Sequence, residues 1–180
     1  MPTRFRHVRE RQNRDAGSLI LVATTFDPRS FLEEPGRTAQ AASTSIGGTP
    51  ILASLWFAYR EGRFWFSSGT SSPLARAAAR GADIAVIVDD FNPPSAIRQV
   101  RVRGCGRIEL HSESGVYEIY RRYIGEDPAM WPFGFRERAQ DAENWTLWSV
   151  VPETGHAVSS PSYSDEFNMR WNRPEDSPLR

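Results

Sequence analysis

Arg98-Gln99-Val100-Arg101-Val102-Arg103-Gly104 decides the fold. Val100 and Val102, with Ile108 further on, place one long strand from about Ile97 to Leu110. Working back from it, Phe91-Asn92-Pro93-Pro94 reads as a loop and Ile84-Ala85-Val86-Ile87-Val88 as a buried strand. Before that comes an Ala-rich helix, Pro73 to Arg80, with Ser72 as its cap and Gly81 ending it. Phe64-Trp65-Phe66 is a strand, Glu61-Gly62 a turn, and Thr49 to Tyr59 another strand. In that strand Ile51, Ala53, Leu55 and Phe57 alternate with Leu52, Ser54, Trp56 and Ala58, so both faces carry apolar side chains. Ala41 to Ile46 is one more strand, joined to it by the tight turn Gly47-Gly48. With one short helix inside this run, the order predicts a mainly β (α+β) fold, an antiparallel barrel of six or so strands. The two-faced strand exceeds what one small barrel buries and predicts a homodimer.

The flanks add helices and one strand. Asp27-Pro28 starts a short helix that turns Phe31 and Leu32 inward. Leu19 to Phe26 is β-rich and suits an edge strand. Ser112 to Ile124 reads as a helix, with Val116, Ile119, Tyr120 and Tyr123 at helical spacing. Pro128 to Ala139 holds a second short helix, and Trp145 to Val151 a strand ended by Pro152. Residues 1–16 are polar with five Arg and read as a flexible arm. Residues 17–163 form a single domain, and residues 164–180 a polar, Pro-containing tail.

Charge is balanced, 22 basic against 22 acidic residues, so net charge points to no nucleic-acid partner. Every basic residue is Arg. That excludes lysine-linked pyridoxal phosphate chemistry and leaves phosphate to guanidinium, N–H and hydroxyl groups. Cys105, alone, forms no internal disulfide and reads as a small buried thiol. His7, His111 and His156 lack metal-ligand spacing, so no metal site is expected. No signal peptide or membrane-spanning run is evident, which predicts a soluble cytoplasmic protein.

The order and spacing of these elements from about residue 30 to 111, under half of the chain, resemble the split β-barrel of the pyridoxamine 5′-phosphate oxidase superfamily. The resemblance rests on the strand–turn–strand of Thr49 to Ser68, the helix with Ser72, Arg76 and Arg80, the buried strand, and Arg98-Gln99-Val100-Arg101-Val102-Arg103-Gly104. It implies a split barrel of FMN-binding type with peripheral helices, in a homodimer with the cofactor at the subunit interface. It implies an FMN-dependent oxidoreductase acting on a small organic substrate. Two alternatives come with it: a deazaflavin coenzyme serving a reductase, and a non-catalytic flavin- or haem-binding protein.

The resemblance also suggests a site. The strand residues Ala53, Ser54, Leu55 and Trp56 would pass the edge of the ring, and Gln99 would contact it through its amide. Ser67 and Ser68 add hydroxyls at a strand end, and Ser72 with Arg76 stands at a helix start, where the helix dipole favours an anion. Where the oxidases carry an Arg-Lys pair after the matching serine, this chain has Pro73 and Leu74. That leaves Arg76 as the phosphate anchor. No catalytic residue is assigned.

Overall fold

A computed structural model describes residues 26–93, 96–160 and 167–180. Nine strands form one sheet in which every described pairing is antiparallel. They are β1 (Ala39–Thr44), β2 (Pro50–Leu55), β3 (Phe57–Arg60), β4 (Arg63–Gly69), β5 (Asp83–Asn92), β6 (Ala96–Glu109), β7 (Trp145–Val150), β8 (Thr154–Ser160) and β9 (Phe167–Trp171). Four helices accompany them: α1 (Pro28–Glu33), α2 (Pro73–Ala79), α3 (Glu113–Ile124) and α4 (Phe135–Gln140). The sheet runs β2-β1-β5-β6-β7-β4-β3, with β8 on β6 and β9 on β8. Its two ends, β2 and β3, are consecutive in the chain, so the sheet curls back on itself into a barrel.

The barrel is split at two seams. One lies in the stretch read first. One edge of β6 pairs with β5 over most of its length, while its other edge changes partner. Residues Ile97 to Arg103 pair with β8, and Gly106 to Glu109 with β7. Gly104 and Gly106 make this hand-over possible. A Cβ on Gly104 would run into the Val151 carbonyl oxygen, and one on Gly106 would come within 2.7 Å of the Ala78 Cα on α2. The other seam is Trp56, the residue between β2 and β3. The single strand expected from Thr49 to Tyr59 is therefore two, because β2 pairs with β1 and β3 with β4. Trp56 leaves the sheet to stack between Tyr123 (4.7 Å, 4°) and Phe135 (5.4 Å, 13°). The Tyr123 hydroxyl accepts from the Phe57 N–H at 3.1 Å and donates to the Arg37 carbonyl at 2.6 Å, which pins the corner.

Several sequence expectations shift. The loop placed at Phe91–Pro94 begins later, since β5 continues to Asn92 and pairs Phe91 with Ile97 and Asn92 with Ala96. The helix placed at Pro128–Ala139 is a single 3₁₀ turn (Pro128–Met130) followed by α4. β8 was not foreseen. The segment read as a tail holds β9, and near its end Leu179 enters the barrel core, where its carbonyl accepts from the Tyr59 hydroxyl at 2.7 Å. The arm of residues 1–16 and most of the edge strand placed at Leu19 to Phe26 lie outside the described residues. Among the described residues no helix is long and apolar enough to cross a membrane.

Two apolar clusters result. The first fills the barrel: Phe57, Phe64, Phe66 and Trp148 face Ile84, Val86, Val88, Val100 and Val102, with Phe31 and Leu32 of α1 closing over them. The second lies outside the barrel, where Ala58, Trp65 and Leu147 meet Val116, Ile119 and Tyr120 of α3. Strands β3, β4 and β7 are therefore covered on both faces. Strands β2, β1, β5 and β6 are covered on the inside only, which is why β2 alternates exposed and half-buried residues.

Candidate functional site

The uncovered sheet face and the helix beside it hold four of the nine residues read as site candidates: Ser54, Gln99, Ser72 and Arg76. α2 begins with Ser72, whose hydroxyl accepts from the Ala75 N–H at 3.2 Å, and with Pro73 in its first turn. Leu74, Ala75, Ala77 and Ala78 are buried, which turns Arg76 and Arg80 outward. Arg80 donates to the Thr44 carbonyl at 3.0 Å and so ties the helix to the end of β1. Between α2 and the β1–β2 hairpin lies a cleft of about 280 Å³ lined by Ser45, Ile46, Ile51, Pro73, Arg76 and Arg80. It has a cationic wall and an apolar one. The hairpin wall was not foreseen, because no local pattern shows where a turn meets a helix.

The serines divide. Ser68 faces inward: its hydroxyl accepts from the Trp148 indole at 3.0 Å and lies 3.0 Å from the Ser72 hydroxyl. Ser68 and Ser72 thus form an internal chain from Trp148 to the start of α2. Ser67 is the next residue on an extended strand and so faces the opposite side, toward Tyr120 of α3. Burial pushes the Tyr120 pKa up, and Ser67 beside it acts in the other direction. The structure therefore does not bring Ser67 and Ser68 together at one phosphate.

On β2, Ala53 and Leu55 pack against the barrel core while Ser54 is exposed and Leu52 is 74% exposed. Trp56 has turned away into the α3–α4 cluster. β2 is an end strand of the sheet, so its outer edge has no strand partner among the described residues. Opposite Ser54 stands Gln40, on the same face, and its Oε1 is buried without a hydrogen-bond partner among the described residues. Sequence reasoning missed Gln40; an acceptor stranded on an otherwise alternating strand is visible only after folding. Gln99 lies further along this face, opposite Asp89, half-buried and with no side-chain hydrogen bond among the described residues. Three strand spacings separate β2 from β6, about 14 Å. Ser54 and Gln99 of one chain thus cannot touch the same end of one ring.

A network holds the outer end of β6. Arg98 donates to Asp90 at 2.7 Å and to Glu34 at 3.0 Å, and Arg37 pairs with Glu34 at 2.5 Å. The hydrogen bond from Arg98 keeps the Asp90 carboxyl below the usual carboxylate range. Both guanidiniums lie over the Phe31 ring, Arg37 at 4.5 Å and Arg98 at 5.0 Å.

No protein-family model and no curated protein matches the sequence. Solved structures do match the architecture. An F420 reductase aligns with a TM-score of 0.53 at 22% identity, over 71% of this chain and 95% of its own. A Clostridium acetobutylicum protein related to general stress protein 26, of the pyridoxine phosphate oxidase family, gives 0.51 at 16% identity, over 79% and 89%. The fold is that of the pyridoxine phosphate oxidase-like split barrels. The haem storage protein HutZ of Vibrio cholerae shares this split barrel with a TM-score of 0.51 at 14% identity, over 69% of this chain and 84% of its own. At these identities the split barrel is what is shared.

Proposed function

We propose that this split barrel is an FMN-dependent oxidoreductase acting on a small organic substrate, with its cofactor between two copies of the chain. The observation that carries the reading is the cleft under Arg76 and Arg80 together with the unpartnered Gln40 Oε1. Arg80 is anchored at Thr44, and Thr44 and Gln40 are four residues apart on β1, about 13 Å. An extended flavin mononucleotide spans such a distance. Its phosphate would meet the guanidiniums, and a ring N–H would satisfy the Gln40 acceptor beside Ser54. Bound there, the flavin supplies hydride transfer at its ring N5.

The chain's own part is to bind, orient and exclude water. Arg76 and Arg80 replace the missing Arg-Lys grip. Backbone groups of β2 face the ring edge. Gln99 is too far from Ser54 within one chain and would reach the ring of the opposite protomer's cofactor, so a homodimer completes the site. The F420 reductase among the structural matches favours a second reading, a deazaflavin coenzyme in the same cleft. HutZ brings a third, a non-catalytic haem-binding protein. The absorption spectrum of the purified protein and the mass of its extracted ligand separate the three.

Arg76→Ala is expected to weaken FMN binding by about one to two decades, the worth of a charge-assisted hydrogen bond. An unchanged dissociation constant would move the phosphate elsewhere. Gln99→Leu is expected to lower the flavin reduction potential, because the amide N–H stabilises negative charge on the reduced ring. A fixed potential, with no acceptor reduced by the wild type, would favour a carrier over an enzyme.

A further inference from the structure

Several arginines of β6 and its margin have a carboxylate partner. Arg98 has Asp90 and Glu34, Arg37 has Glu34 and Asp90, and Arg103 is paired with Asp83. Arg107 has none among the described residues, and neither has one cross-strand row. Arg101 on β6 stands opposite His156 on β8, and His156 stands opposite Arg170 on β9. Neither Arg101 nor Arg170 has an ion-pair partner among the described residues. The two guanidiniums of this row stand two strands apart with His156 between them.

The row is ordered rather than splayed. Arg101 donates to His156 Nδ1, so Nδ1 carries a lone pair. The neutral ring then has its proton on Nε2, which donates to Asn168 Oδ1 at 2.7 Å. This chain fixes the Arg101 guanidinium at the mouth of a groove of about 380 Å³. Arg103, Thr154, Arg170 and Asn172 also line it, and among the described residues no carboxylate does. Arg101 and Arg170 lie two strand spacings apart, about 10 Å, and both side chains are long enough to converge on a group between them. β9 is five spacings from β2, about 24 Å, so this groove is not the cleft under α2.

We propose that the Arg101–His156–Arg170 groove is a second oxyanion site and takes a phosphate group, held by two guanidinium forks and the neutral donors Thr154 and Asn172. The flavin reading is not needed for it. Titration calorimetry at low ionic strength tests it on the full chain, with inorganic phosphate and adenosine monophosphate as probes and chloride as the ionic-strength control. Saturable binding is expected, weakened about tenfold or more by Arg170→Gln and by Arg101→Gln and unchanged by Arg107→Gln, which lines neither cleft. All three side chains are exposed, so the variants keep the fold. Equal binding of the two probes assigns a site for the free ion, and tighter adenosine monophosphate one for a phosphate ester. Three results would overturn the proposal: no saturation beyond chloride, loss of binding in Arg76→Gln but not in Arg170→Gln, or a wild-type dimer that Arg170→Gln dissolves without any phosphate binding. The last would mean that a second copy's carboxylate fills the groove.

Discussion

The barrel has a half covered on both faces and a half covered on one. In β3, β4 and β7 buried residues follow one another without alternation, because the barrel core lies on one side and α3 on the other. In β2, β5 and β6 burial alternates, and the outer face carries Leu52, Ser54, Arg101, Arg103 and Gln99. The first half holds the fold together. The second keeps its inner face for the fold, and its outer face is uncovered among the described residues. Substitutions should separate these duties.

The largest effect belongs to the doubly covered half. Trp148 is fully buried, stacks on Phe66 at 4.3 Å and donates to Ser68. Trp148→Ala removes that packing and leaves the Ser68–Ser72 chain without its donor. A loss of about 3–5 kcal/mol is expected in denaturant unfolding. A loss under 1 kcal/mol would mean that this half is not the structural one.

Next comes the inner face of the open half. A Cβ at Gly155 would collide with the Trp171 ring and come within 2.6 Å of the Arg101 carbonyl oxygen. Gly155→Ala is expected to cost about 1–3 kcal/mol by overpacking. If it proves neutral in the same unfolding measurement, the open half is loose on both sides and the contrast fails.

These two positions also show what was legible in the sequence. β4 and β7 announced themselves through Phe64-Trp65-Phe66 and Trp145 to Val151, since a strand buried on both faces is a plain apolar run. The helices were legible from their caps: Asp27, Ser72 and Ser112 each accept from a backbone N–H at a helix start. β8 and β9 were not legible, because Gly155, His156 and Asn168 are strand residues only by virtue of their neighbours. In the candidate site, Arg76 and Arg80 followed from helix position. Gln40 and the hairpin wall are products of tertiary contact. Ser67 and Ser68 are neighbours in sequence, but strand alternation turns them to opposite sides.

A smaller effect probes the rim of the open face. Asp90 joins β5 to Arg98 and Arg37, and its pKa is depressed in the fold. A depressed carboxyl adds stability that is present above the ordinary aspartate value, about 3.9, and disappears as pH falls through the folded value. The wild type should therefore exceed Asp90→Asn at neutral pH, by no more than about 1 kcal/mol for so exposed a network. The two stability curves should meet in acid. Parallel curves at all pH values would show that the carboxylate charge contributes nothing.

The smallest effect on stability should carry the largest effect on assembly. Leu52 lies on the edge strand, 74% exposed, and its row continues through Ala42 and Ala85 as a small apolar stripe. Among the described residues little packs on it, so Leu52→Glu should change unfolding by no more than about 0.5 kcal/mol. In the proposed homodimer the same residue is buried against a second copy. A carboxylate there would lose its water without gaining a partner, which a modest interface does not withstand. Sedimentation should therefore show a wild-type dimer and a Leu52→Glu monomer of equal stability, and the monomer should also lose FMN, because the second copy's whole side of the proposed interface site would be gone. A wild-type monomer would end the dimer proposal. A dimer untouched by Leu52→Glu would place the interface elsewhere and leave the open face to small molecules alone.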